Sequence, residues 1–126
     1  MNGYDPEYEP NPEQWLALDE QERIDLAEEH HRIANIKLPN LQAHAALHAI
    51  VESQIAQNLE SVVRAMTRLT AGGLSRHEAI HAIASVLAEH IYELFDPAVN
   101  ENNSASIYNA AIERLTVGVE TNIDIN

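Results

Sequence analysis

Between Asn40 and Gln57 the chain reads LQAHAALHAIVESQIAQ. At about 100° per residue, Leu41, Leu47, Val51 and Ile55 fall within one arc of a helix. His44 and His48 fall inside the same arc, with Glu52 at its edge. A chain that buries this face must fold as packed helices. It must also find partners for two imidazoles that enter the core with the aliphatic side chains.

The rest of the chain carries the same helical period with clear punctuation. Residues 1–11 hold Pro6 and Pro10, are acidic and lack apolar periodicity. They read as a flexible or extended arm, with Tyr4 or Tyr8 as the residue that would pin it. Pro12 opens a short helical turn with Trp15, Leu16 and Leu18 on its apolar side. Asp19 and Glu22 approximate a capping box for a helix running to about Asn35. Lys37-Leu38-Pro39-Asn40 breaks that helix, and Asn40 caps the next, about 41–57. After a loop or kink at 58–60, a helix carrying Val62, Val63, Met66 and Leu69 ends at Gly72-Gly73. Ser75 caps a helix over about 76–95, with Ile80, Ile83, Ala84, Leu87, Ile91, Leu94 and Phe95 as its apolar stripe. Asp96-Pro97 stops it. A last helix, about 104–116, offers Ile107, Tyr108, Ala111, Ile112 and Leu115. The pattern predicts an all-α single-domain bundle of about five helices over 12–116, with the segments 41–57 and 76–95 adjacent and antiparallel, and a tail over 117–126.

Composition narrows the chemistry. A chain of 126 residues suits one core. With no cysteine, disulfides and thiolate ligands are excluded, so a metal would be held by imidazole and carboxylate. Seven basic residues against twenty acidic ones disfavour nucleic acid and anionic membrane, because affinity for phosphate rests on Lys and Arg. No apolar run approaches the roughly 20 residues that span a bilayer. The start Met1-Asn2-Gly3-Tyr4-Asp5 lacks the regions of a signal peptide, so a cytoplasmic location is the default expectation. An Ala-rich helical chain of this size is suited to homodimerise.

Seven histidines in so short a chain are the compositional outlier. His77 and His81 form a second i, i+4 pair, along one border of their helix's apolar stripe. Imidazoles one turn apart reach a single ion, and two such pairs on separate helices are a stronger signal than one. The competing reading is that these are core or surface histidines satisfied by carboxylates and carbonyls. His77-Glu78-Ala79-Ile80-His81 also matches the His-Glu-x-x-His motif of zinc peptidases, which makes Glu78 a candidate catalytic base. Against that, Ser75 and Glu78 form a capping box, so Glu78 has a structural reason to be there. The chain also offers no convincing substrate-binding strand.

Glu28-x-x-His31 and Glu78-x-x-His81 share the spacing used by di-iron and di-manganese bundles, with Glu52 as a further carboxylate. Histidine exceeds carboxylate in the set, which favours zinc, ferrous iron or nickel over an oxygen-only site. Of His30 and His31, one is expected to complete the site from the first long helix and the other to face solvent, with His31 carried as the candidate. His90 is expected at the surface. Arg64, Arg68 and Arg76 are expected to be solvated or salt-bridged, and Trp15 and Met66 to lie in the core.

The segment from Leu38 through His44, His48, Glu52 and Gln54, followed by Arg76-His77-Glu78-Ala79-Ile80-His81 and Leu87-Ala88-Glu89, resembles a family of small bacterial proteins catalogued as domain of unknown function 1841. The resemblance covers roughly residues 15–95. Ser53 interrupts the Glu-Gln pair of that family's pattern. The resemblance implies the histidine pairing and carries no activity with it. The expected site is thus a divalent metal (zinc, iron, manganese or nickel) held by His44, His48, His77 and His81, with His31, Glu52 and Glu78 as further ligands or supporting groups. The expected function is metal binding, enzymatic or not, and the alternative is a protein–protein interaction module with or without a metal.

Overall fold

The computed structural model describes residues 3–33 and 40–117. Six α-helices follow in order: α1 (Pro12–Ala17), α2 (Glu20–Ile33), α3 (Leu41–Ala56), α4 (Glu60–Ala71), α5 (Arg76–Glu93) and α6 (Ser104–Arg114). No strand occurs among the described residues. The helix beyond the expected five is α1, the short turn at Pro12. The break at 37–39 and the tail beyond Val117 lie outside the described residues.

Local chemistry sets most boundaries. The Asn11 side chain accepts from the Gln14 amide at 3.0 Å, and the Asn40 side chain from the Ala43 amide at 3.0 Å. Asp19 accepts from the Glu22 amide at 2.8 Å while Glu22 accepts from the Asp19 amide at 3.2 Å, completing the expected capping box. Gly73, at φ +110°, makes the left-handed turn that lets the Leu74 amide reach back to the Leu69 carbonyl and end α4. The open end of α6 is closed from outside: Arg68 of α4 donates to the carbonyls of Ile112 and Leu115, each at 2.9 Å.

Helix α3 is central and packs against α1, α2, α4 and α5. His44 lies beside His81 and Glu52 beside Arg76, so α3 and α5 run antiparallel. The interior falls into two clusters. Around α4, α5 and α6 it is aliphatic, with Val51, Val62, Leu69, Ile80, Ile83 and Ile112 fully buried. Around the arm, α1, α2 and α3 it is small and mixed: Tyr4, Trp15, Ala27, Ala45 and Ala49. Trp15 packs on Tyr4 with ring centres 5.5 Å apart and donates from its indole to Ser53. Between the two clusters sit the histidines.

Two sequence expectations fail at α5. His90 is buried, its ring 5.3 Å from Tyr108 and its Nε2 at 3.0 Å from the Ser104 hydroxyl. A helical wheel put it on the polar side, but α6 covers that side too. Conversely Ile91, Leu94 and Phe95 are exposed, Phe95 at 85%. The apolar stripe continues past the point where α5 still has a neighbour among the described residues.

Candidate metal centre

Three helices each deliver two histidines to one region. Helix α3 places His44 and His48 a turn apart on its buried face, and α5 places His77 and His81 in its first two turns. Helix α2 brings His30 and His31 near its end. One nitrogen from each of His31, His44, His48 and His81 lies within 4.8 Å of the other three. Nitrogens sharing a tetrahedral ion at about 2.0–2.1 Å sit about 3.4 Å apart, so the set is within about 1.4 Å of that spacing.

Hydrogen bonds fix which nitrogen faces inward. His31 Nδ1 lies 2.7 Å from the Ala27 carbonyl, an acceptor, so Nδ1 carries the proton and Nε2 the lone pair. Tyr4 donates its hydroxyl proton to Glu52 at 2.5 Å. Its oxygen, 3.1 Å from His48 Nδ1, is then left to accept from that nitrogen. His48 Nε2 is thereby the lone-pair nitrogen, and it points at His81 Nε2 across 3.0 Å. His31 Nε2, both nitrogens of His44 and His77 Nε2 are buried with no hydrogen-bond partner. A buried polar atom left unpaired costs about 1–3 kcal/mol. Several lone pairs converging on one point is the condition that a cation relieves.

The cluster is held neutral. Burial, reinforced by the neighbouring imidazoles, lowers His44 to about 4 and His81 to about 3. The same causes, burial first, lower His48, His31 and His77. At neutral pH these side chains are therefore in the unprotonated form that ligates metal. Burial, then the Glu52 charge, raises Tyr4 well above the usual phenol range, so it stays a hydroxyl.

The carboxylates take other roles. Glu52 is 1% exposed and one turn along from His48. Arg76 grips it from two nitrogens at 2.6 and 2.7 Å, and Tyr4 holds the same carboxylate. All its strong bonds run to these two residues, and it reaches the cluster through Tyr4 and His48. Glu78 is exposed and accepts from the Ser75 amide at 2.9 Å while the Ser75 hydroxyl accepts from the Glu78 amide, so it is occupied as a cap. The arm closes one side. Tyr4 and Pro6 are buried while Tyr8 is 74% exposed, so Tyr4 is the pin. The Pro6 carbonyl accepts from Arg76, and Glu7 accepts from the His77 amide at 2.9 Å.

No family model, curated protein or solved structure matches this chain. The geometry alone carries the functional reading.

Of the residues singled out in the sequence, His31, His44, His48 and His81 come together, and His77 stands against His81 with ring centres 4.1 Å apart. Sequence reasoning had Tyr4 only as one of two pins for the arm and Arg76 only as a solvated or salt-bridged position, missed that both meet at Glu52, and left His30 undecided. One signal was present: an acid on a buried face needs a cation or strong donors, and Arg76 directly precedes the histidine motif. His30 packs edge-on to His31, His77 and Tyr4, at 5.3, 5.8 and 6.1 Å between ring centres, so both residues of that pair belong to the cluster.

Proposed function

We propose that this protein binds a transition-metal ion in the histidine cluster, with His44 and His48 from α3, His81 from α5 and His31 from α2 as its protein ligands. The observation that carries this reading is that one nitrogen from each of His31, His44, His48 and His81 lies within 4.8 Å of the other three, with His31 Nε2 and both nitrogens of His44 buried and unpartnered. Without an ion, three helices would bury that polar surface at a net loss. With one, the same nitrogens tie α2, α3 and α5 together, and binding energy becomes folding energy.

The donors define the class of metal. Neither thiolate nor carboxylate is among the four, and imidazole suits zinc, ferrous iron, nickel and copper better than calcium, magnesium or manganese. Glu52, Tyr4 and Arg76 form the support for one ligand. The Glu52 carboxylate holds the Tyr4 hydroxyl, whose oxygen in turn holds His48 Nδ1 and aims Nε2 at the centre. Such outer contacts set a ligand's tautomer and its basicity.

Elemental analysis of untagged protein, expressed with metal supplements, should find at least one transition-metal ion per chain. In the His48→Ala variant the ion should be lost or bound far more weakly. Metal-free wild-type protein after supplementation would defeat the reading.

A further inference from the structure

The arm ahead of α1 lies across the histidine cluster, and its tethers set it apart from the helices beside it. Residues 3–11 form no helix and carry one turn, in which the Tyr8 amide reaches the Asp5 carbonyl at 3.0 Å. The arm is tied to the body at three places. The Tyr4 hydroxyl meets Glu52 and His48, the Pro6 carbonyl accepts from Arg76 at 2.8 Å, and Glu7 accepts from the His77 amide at 2.9 Å. His48 and His77 are cluster histidines, and Glu52 and Arg76 are the ion pair beside them. Arg76 serves both sides: its Nη1 donates to the Pro6 carbonyl and to Glu52, and its Nη2 donates to the other Glu52 oxygen.

The apolar hold is small. Tyr4 and Pro6 are buried, with the Tyr4 ring 5.5 Å from Trp15, while Asp5, Glu7 and Tyr8 are exposed. Beneath the arm, the rings of His48 and His30 stand edge-on to Tyr4 at 6.0 and 6.1 Å. Moving α2, α3 or α5 off the cluster would unpack a whole helix. Moving the arm breaks only side-chain hydrogen bonds and one ring stack, and segments held this way are the ones that open locally while the rest stays folded.

We propose that Tyr4–Glu7 is a strap that lifts to admit an ion to the cluster and closes behind it, with Arg76 as its latch. This rests on the metal-binding reading above and adds a gate to it. The latch stays in place when the strap lifts, because Glu52 still holds the guanidinium. On closure the Tyr4 oxygen returns to His48 Nδ1, so shutting the strap also aims a ligand. The Glu7 carboxylate returns to an amide in the first turn of α5, where a negative charge is favoured.

The test is kinetic. Co²⁺ uptake by metal-free protein and Co²⁺ release to an excess of chelator are followed by the visible absorption of imidazole-bound cobalt. In wild-type protein the uptake rate should level off as Co²⁺ is raised, at the rate of strap opening. The double variant Pro6→Gly, Glu7→Ala loosens the strap without touching Tyr4 or any imidazole. Its uptake and release should both quicken by on the order of tenfold, the effect of losing one charge-assisted hydrogen bond. Their ratio, the affinity, and the helical circular dichroism should not change. Uptake that rises linearly to the highest Co²⁺ concentration would overturn the gate and leave the metal-binding reading standing. Unchanged rates in the variant would overturn the gate too, as would faster release with unchanged uptake, which makes the arm a ligand support alone. No bound cobalt in the wild type would overturn both readings. The levelling is read in wild-type protein and stands even if the variant fails to fold.

Discussion

The α4–α6 end of this molecule and its α2–α3 end bury comparable helices by opposite means. At the first, Leu69, Ile80, Ile83 and Ile112 are fully buried against one another, and a few polar contacts join the helices: Ser61 to Asn109, His90 to Ser104 and Arg68 to the last carbonyls of α6. At the second the buried apolar residues are two aromatics and three alanines. The remaining interior there is imidazole, a carboxylate and a guanidinium. Apolar burial stabilises the first end without help, at roughly 25 cal/mol for each Å² removed from water. The second end hides more polar atoms, and four of its histidine nitrogens are left without a partner against one, His90 Nδ1, at the first. An aliphatic core serves the fold alone. A core that buries polar atoms with no partner gives up stability that a ligand could restore.

Several experiments would break or sharpen that contrast. The largest effect is expected from Glu52→Ala, which leaves Arg76 mostly buried without its partner and should cost about 3–5 kcal/mol in urea unfolding. A loss under about 1 kcal/mol would show that the clamp is a surface pair in effect. Leu69→Ala should cost about 2–5 kcal/mol through the cavity it opens, yet leave the bound metal per chain unchanged. Metal loss in that variant would mean that the two ends are not separable.

Acid should act on the histidine end first. In metal-free protein His44 is lowered to about 4 and His81 to about 3, whereas both titrate near 6.5 when unfolded. Between those values the unfolded chain binds more protons than the folded one, so stability falls as pH falls below about 6.5 and is level above it. Urea unfolding of metal-free protein at about pH 7.5 and 5.5, above most carboxylate titration, should show the drop. Hydrogen exchange should place it in α2 and α3, and equal stability at the two pH values would show that the cluster opens to solvent when metal-free. The smallest effect is expected at Arg64, whose pairs with Glu60 and Glu113 are exposed. Arg64→Ala should change stability by no more than about 0.5 kcal/mol and leave metal content alone. A larger change would mean that the charges joining α4 and α6 count for more than their exposure implies.

Much of the fold was legible because its signals are local. Asn11, Asp19, Asn40 and Ser75 cap their helices through side chains acting three residues ahead, a range that sequence spells out directly. The pairs His44/His48 and His77/His81 were legible for the same reason, since an i, i+4 spacing fixes a shared face before any packing occurs. The fate of α5's far end was not. His90 and Phe95 exchange their expected environments because α6 covers one side of the helix and nothing among the described residues covers the other.

At the candidate site the division is the same. The sequence by itself determined that imidazoles would enter a helical core without thiolates, and it offered a capping role for Glu78 beside those of base and ligand. Only the tertiary structure decided that His30 and His31 come from α2 to meet them, that the arm returns to set Tyr4 between Glu52 and His48, and that Arg76 occupies the carboxylate. Those contacts join residues at least 13 positions apart. Periodicity shows which face a side chain takes on its own helix. What meets that face is settled by packing between distant segments.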